Sequence, residues 1–268
     1  MRAAAIVMPL PRRAAGSSLG RGDYDGARPM VEESLSICRE MGDLVGEARC
    51  LGTLGAIAIF DDAIEEAERW STESLAVYRK LGRAPGIAGA LQNLGHIALR
   101  LRKLTEAHAY YEEALQILAG TGDERQIALG MAEFGRVATR MGMLEAGRIR
   151  FATALGITRR HGAPRETAYA LEGVAELASV LGDHATATWV LGAATALRDS
   201  MGSPLTPAEA VDQETLLEHA RGAIGRDACD RQWSAGQGVT LEDAVTRAVD
   251  WLESAPAGME GSGIQGGT

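Results

Sequence analysis

The residues that could catalyse a reaction or hold a metal ion are few and scattered. The five histidines stand singly, without an HExxH motif or a nearby cysteine that would indicate zinc. The three cysteines, Cys38, Cys50 and Cys229, form no CxxC pair, and no serine or cysteine lies in a recognisable catalytic setting. We therefore predict no catalytic residue, no metal site and no cofactor, and expect the chain to act by binding.

The remaining polar residues must be positioned by a repeat of forty residues. Four columns keep this spacing without a gap, which indicates an internal repeat. They are Gly42, Gly82, Gly122, Gly162 and Gly202; Leu35, Leu75, Leu115 and Leu155; Ala48, Ala88, Ala128 and Ala168; and Ala58, Ala98, Ala138 and Ala178.

Each repeat unit contains two helical patterns. In the first, Leu51, Leu54, Gly55 and Ala58 share one helix face, and a small residue beside a large one lets a neighbouring helix approach closely. The column that begins at Gly42 falls where a left-handed residue ends the second helix of each unit. The sequence predicts an all-α fold: a right-handed α-solenoid of antiparallel helix pairs with a C-terminal helical cap.

From about residue 23 to residue 202, these columns resemble the tetratricopeptide repeat. The "LG" pair of the first helix and the alanine of the second carry the resemblance. The usual unit has about 34 residues, and the longer unit here is similar to the repeats of MalT-like bacterial regulators. The large aromatic residue that usually opens the first helix is replaced by Leu51, Leu91, Met131 and Leu171.

The two ends depart from the repeat. Residues 1–22 are predicted to be irregular, and the Arg21-Gly22-Asp23 tripeptide is interpreted as a joint in register with Gly142 and Gly182 rather than as an adhesion motif. The first helix, predicted from Asp25 to Glu40, lacks its partner. Either the N-terminal segment covers it irregularly, or another chain or an upstream domain does.

Residues 203–253 are predicted to form a C-terminal cap. The expected helices run from Ala208 to about Gly222, through Cys229 to Trp233, and from Thr240 to Trp251, and a disordered tail follows at 254–268. This region resembles the extreme C-terminus of large bacterial LuxR/AfsR-like regulators, which join an ATPase module and a DNA-binding or signalling domain to such repeats. The resemblance implies a sensor and interaction module, and no GxxxxGK[ST] loop is present.

Composition limits the partners. A formal charge of −9 and a pI of about 5.2 argue against direct binding of nucleic acid or of an anionic membrane surface. The unpaired cysteines fit a reducing, cytoplasmic setting, and the N-terminal segment does not have the order of a signal peptide.

The first helices are expected to line a concave groove that binds a partner. The predicted groove residues form a central basic patch of Arg100, Arg136 and Arg140, with acidic residues beyond it, suited to an acidic peptide, a partner's helix or an anionic small ligand. The full set is Arg49, Gln92, His96, Arg100, Arg136, Arg140, Tyr169, Glu172 and Glu176. A carboxylate clamp is not expected, since only Asn93 matches it.

The leading hypothesis is a non-catalytic scaffold that binds a protein or peptide within a bacterial transcriptional or signalling regulator. A second hypothesis is a small-molecule sensor in which an inducer occupies the groove and changes the curvature of the array. A third is a truncated regulator without independent activity.

Overall fold

A computed structural model describes residues 24–254, which contain twelve α-helices and no strand. The predictions for residues 1–22, for the Arg21-Gly22-Asp23 joint and for the tail after Ser254 concern residues outside this range. The helices are α1 (Tyr24–Met41), α2 (Leu44–Phe60), α3 (Ile64–Leu81), α4 (Ala84–Arg100), α5 (Leu104–Leu118), α6 (Glu124–Arg140), α7 (Leu144–His161), α8 (Pro164–Val180), α9 (His184–Met201), α10 (Pro207–Ile224), α11 (Arg226–Gln237) and α12 (Leu241–Ser254).

The helices pack in succession as an α-solenoid, as predicted. The four complete units are α2–α3, α4–α5, α6–α7 and α8–α9, and α1 precedes them as a half unit. The first helices α2, α4, α6 and α8 also contact one another across units, more closely than the second helices do in the described residues. The first helices therefore form the inner, concave layer of the array.

The predicted columns form the core. Ala48, Ala88, Ala128 and Ala168 are buried, as are Ala58, Ala98, Ala138 and Ala178. Two residues of the predicted packing positions, Met131 and Leu115, are only partly buried and lie at the edges of core clusters. Side chains of the forty-residue columns thus bury one unit against the next, as expected of a stacked repeat.

The glycines between successive units have the predicted left-handed backbone conformation, and all but one directly follow the end of a helix. Gly42, Gly82, Gly122, Gly162 and Gly202 all have positive φ angles. However, α5 ends at Leu118, and Gly122 lies in the loop beyond it. The helix ends early because Gly120 is a poor helix former and because the Thr121 hydroxyl donates a hydrogen bond to the Leu118 carbonyl.

The three C-terminal helices are longer than predicted, and two of them pack tightly on the last unit. Helix α11 lies against α9, where a Cβ atom added to Gly236 would overlap the carbonyl oxygen of Trp189. The matching Gly192 faces the Trp233 backbone in the same way. Helix α12 packs on α7, α8 and α9, and Trp251 Nε1 donates to Asp183 at 2.9 Å.

Helix α10 turns back onto the concave face. Pro204 and Pro207 interrupt the repeat, and Thr206 starts the new helix with a capping box in which its side chain and that of Glu209 bond each other's backbone N–H. Helix α10 contacts α8 and α9. As a result, the groove of the fourth unit contains a helix of the chain itself.

Candidate functional site: two cavities on the concave face

The start of α10 separates two cavities on the concave face. The first, here called the Glu176 cavity, has a volume of about 280 Å³ and is lined by side chains of α6, α8 and α10. The second, here called the Tyr111 cavity, has a volume of about 330 Å³ and extends over α2, α4, α6 and α8. Glu209 borders both, so the N-terminal turn of α10 forms the wall between them.

In the Glu176 cavity, the arginines are paired with carboxylates. Arg136 donates to Glu176 at 3.3 Å and Arg140 at 2.6 Å. Burial opposes ionisation of Glu176, but the two guanidinium groups outweigh it and hold the pKa of Glu176 below its ordinary value. Arg140 also reaches Asp212 of α10 at 3.3 Å, so the network joins the array to the cap.

A buried ion pair continues this network. Arg198 of α9 binds Glu172 of α8 through both Nε and Nη2, and both side chains are about 6% exposed. Burial raises the pKa of Glu172, and the bonds from Arg198 oppose that shift. Arg198 also lies 3.9 Å from Glu209 and stacks over the Tyr169 ring.

These ion pairs make the groove less basic than predicted. The arginines of the predicted basic patch are paired with carboxylates, because Arg136 and Arg140 are bonded to Glu176 and Arg100 is bonded to Asp62 at 2.6 Å. Of the acidic residues predicted to lie beyond the patch, Glu176 is bonded to Arg136 and Arg140, whereas Glu172 is bonded to Arg198 of α9. Arginines that are already paired with carboxylates offer an acidic peptide little net positive charge.

The Tyr111 cavity combines apolar walls with a few polar groups. Ile59, Phe60 and Leu129 line it, and three of the eight phenylalanines and tyrosines of the chain (Phe60, Tyr111 and Tyr169) lie around it. Arg165, whose side chain is exposed, also lines it. This size and mixture of apolar and polar groups are typical of a ligand pocket.

Three buried polar atoms of the Tyr111 cavity lack a hydrogen-bond partner among residues 24–254: His96 Nε2, Tyr111 Oη and Glu133 Oε2. Glu133 is 5% exposed, and Tyr111 is fully buried. The nearest ionic neighbour of Glu133 Oε2 is His96 Nδ1, at 3.9 Å. Burial raises the pKa of Tyr111, followed by the charge of Glu133, which also lies close enough to interact with the Tyr111 hydroxyl without forming a well-aligned hydrogen bond, so this phenol stays protonated.

The predicted groove residues are divided between the cavities. Gln92, His96 and Tyr169 line the Tyr111 cavity. Arg136, Arg140, Glu172 and Glu176 line the Glu176 cavity. Arg49 and Arg100 line neither of these two cavities.

The sequence reasoning missed residues that complete both cavities. Tyr111 occupies a core position of a second helix, equivalent to Phe151 one unit later, and its hydroxyl is the only signal that distinguished it. Glu133 lies on a first helix but was not among the predicted groove residues. Glu209 carried a usable signal, since the Thr206–Glu209 spacing is that of a capping box.

The described residues contain no cluster of His, Cys, Asp or Glu that could hold a metal ion. None of the helices between residues 24 and 254 is both long and apolar enough to cross a membrane. Burial raises the pKa of the Cys50 thiol to about 11, which makes it a poor nucleophile.

Comparison with known proteins supports the repeat. Residues 61–120 match the family model of the tetratricopeptide repeat. This range covers the loop before α3, then α3, α4 and α5. The match supports a repeat of the tetratricopeptide type, as the columns predicted. No match to the chain is found among curated proteins.

The fold also has a counterpart among solved structures. The chain is similar to the crystal structure of BtubC (BKLC) from P. vanneervenii, with a TM-score of 0.55 and 16% sequence identity. The similarity covers 91% of this chain and 96% of the other. At this identity the comparison shows a shared helical-repeat fold and nothing about ligands.

Proposed function

We propose that this protein is a non-catalytic scaffold that binds a segment of a partner protein, or a peptide, on its concave face. Repeats of the tetratricopeptide type generally mediate protein–protein interaction, and the fold is typically non-enzymatic. The observation that carries the proposal is the Tyr111 cavity, which is lined by the first helix of every complete unit. A segment lying along the array would contact all four units there.

A variant that fills the cavity tests this proposal. Gly89 lines the cavity, and a Cβ added there meets nothing within 4 Å. Gly89→Leu should therefore block the cavity while raising helix stability by about 0.5–1 kcal/mol. Peptides selected from a displayed random library by the full chain should lose binding to this variant.

The chain supplies a matched control. Gly156 on α7 is also a helical glycine with open space at its Cβ position, and it lines none of the described cavities. Gly156→Leu should keep the binding of the selected peptides. Failure to select any peptide, or equal binding by both variants, would refute the concave face as the binding surface.

The cellular role of this scaffold is also a proposal. The resemblance of residues 203–253 to the ends of large bacterial regulators supports a role as the interaction module of a transcriptional or signalling regulator in the cytoplasm. An upstream ATPase or DNA-binding module would then be its functional neighbour. Co-purification of such a module with this chain, encoded beside it, tests the assignment, and an isolated operon position would oppose it.

The volume of the Tyr111 cavity favours one alternative, a small-molecule sensor. Under this alternative, a metabolite would raise the melting temperature of the chain in the absence of any partner. A metabolite panel screened by thermal shift separates the two functions.

A further inference from the structure

The unpartnered polar atoms of the described residues concentrate in one place. Eight buried side-chain nitrogen or oxygen atoms between residues 24 and 254 have no hydrogen-bond partner, and three of them belong to residues of the Tyr111 cavity. Buried polar groups are normally satisfied, since an unmade hydrogen bond costs about 1–3 kcal/mol. Their concentration in a cavity therefore points to a ligand that supplies the missing bonds.

The chemistry of these atoms defines the ligand group. The carboxylate of Glu133 accepts hydrogen bonds, the Tyr111 hydroxyl beside it keeps a lone pair that can accept one, and an unprotonated nitrogen of His96 can accept another. An alkylammonium group has three N–H donors and one positive charge, so it matches three acceptors and a carboxylate. Ile59, Phe60 and Leu129 provide the apolar wall that the methylene stem of such a group requires.

The surrounding charges are consistent with this choice. Glu133 and Glu209 line the cavity, and so does Arg165, whose side chain is exposed. The charge of Glu133 acts on Arg136 more strongly than that of any other carboxylate, but the guanidinium Nε of Arg136 donates its hydrogen bond to Glu176, so Glu133 has a cation nearby without a bond to it. Glu209 is held by Arg198 and by the Thr206 N–H, which leaves Glu133 as the carboxylate available to an incoming cation.

We propose that the Tyr111 cavity binds the side chain of a lysine in the partner segment, with the ammonium group hydrogen-bonded to Glu133, Tyr111 and His96. This inference rests on the proposed function and specifies the residue that the scaffold recognises. The stem of the lysine lies along Ile59, Phe60 and Leu129.

Peptide arrays test the lysine directly. The full chain is applied to immobilised random-sequence peptides whose central position is lysine, acetyl-lysine, norleucine or glutamate. Acetyl-lysine keeps the reach but removes the charge, and norleucine keeps most of the stem. Peptides with central lysine should bind about tenfold more tightly than either, since a hydrogen bond to a charged group contributes about 1.5–3 kcal/mol.

Two variants test whether the preference for lysine arises in the Tyr111 cavity. Glu133→Gln should remove most of the roughly tenfold lysine preference, and Tyr111→Phe should reduce it by about threefold. The matched control is Glu113→Gln, which makes the same change at a partly exposed Glu113–Arg79 ion pair outside the cavity, and it should keep the preference. Circular dichroism and thermal melting confirm that each variant is folded.

The outcomes separate this inference from the proposed function. Binding of peptides without a lysine preference, or a preference that survives Glu133→Gln, would overturn the lysine site but leave the scaffold function standing. Binding of no peptide at all would overturn both. If cadaverine raised the melting temperature of the wild-type chain while no peptide bound, the cavity would be a site for free amines and the lysine assignment would be wrong.

Discussion

The two cavities of the concave face contain similar residue types but differ in whether their charges are paired. In the Glu176 cavity, Glu172 and Glu176 are bonded by guanidinium groups of arginines on neighbouring helices. In the Tyr111 cavity, Glu133 Oε2 and the Tyr111 hydroxyl have no such partner within residues 24–254. The wall between the cavities is a single helical turn around Glu209.

This difference separates a structural network from a binding site. A fully satisfied buried network stabilises one arrangement, and here it fixes α10 against α6, α8 and α9 through Asp212 and Glu209. Unsatisfied groups reduce stability, and proteins tolerate them where function requires them. Stability measurements can therefore test the assignment of each cavity without knowledge of the partner.

The largest effect is expected for Arg198→Met. This change leaves Glu172, which is 6% exposed, and its neighbour Glu209 without their buried cation. We expect the free energy of unfolding to fall by about 3–5 kcal/mol at pH 7, measured by urea denaturation.

Two further measurements check the cause of that loss. The deficit should shrink at acidic pH, because burial already raises the pKa of Glu172 and protonation removes its unpaired charge. The double variant Arg198→Met/Glu172→Gln should recover part of the lost stability. A loss below about 1 kcal/mol for the single variant would mean that the pair does not stabilise the cap.

A smaller and pH-dependent effect is expected for Glu176→Gln. This change leaves Arg136 and Arg140 without their shared carboxylate, and we expect a loss of about 1–3 kcal/mol at pH 7. The folded-state pKa of Glu176 lies below its ordinary value of 4.5. Its contribution is therefore fully present above that pH and is lost as the pH falls through the lower folded pKa.

The measurement is urea denaturation of both proteins across this range. The difference in stability between them should stay constant from pH 7 to about pH 5 and shrink below it. A difference that grows as the pH falls would contradict the ion-pair assignment.

The sequence predicts the layers of this fold well, but it predicts the charges of the groove poorly. Burial repeats every forty residues, so the columns that include Ala48 and Ala58 identify both helices of each unit. Which charged residues form ion pairs depends on the distances between side chains of neighbouring units. A pattern of residue types along the sequence does not give those distances. Arg136 and Glu176 do lie one repeat apart, so their pairing had a sequence signal in the spacing itself.

The packing of α10 against the concave face is harder to predict from the sequence. Pro204 and Pro207 show that the repeat stops, and the Thr206 capping box shows where a helix begins. Neither shows in which direction the helix runs. The direction depends on contacts such as Asp212 with Arg140, between residues far apart in the chain.

Exchanging the residues at equivalent positions of two units, Tyr111 and Phe151, should change the stability of the two variants in opposite directions. Tyr111→Phe removes the unpartnered hydroxyl and copies Phe151, and we expect stability to rise by up to about 1 kcal/mol. Phe151→Tyr places a hydroxyl in the fully buried core and should reduce stability by about 1–3 kcal/mol. Thermal melting of both variants checks the signs, and destabilisation by Tyr111→Phe would show that its hydroxyl is already satisfied.

The smallest change in stability is expected for Glu133→Gln, although it is chemically the same change as Glu176→Gln. No guanidinium group of the described residues forms an ion pair with Glu133 within 4.0 Å. The charge of Glu133 acts on Arg136 without a direct bond, so replacing it by glutamine breaks no hydrogen bond and should cost less than Glu176→Gln, about 1 kcal/mol or less. Urea denaturation at pH 7 compares the Glu133→Gln and Glu176→Gln variants directly.

A loss of about 2 kcal/mol or more for Glu133→Gln would place this carboxylate in the structural network and remove the difference between the cavities. An unchanged stability together with lost lysine preference would instead show that this carboxylate is held in the concave face for a partner.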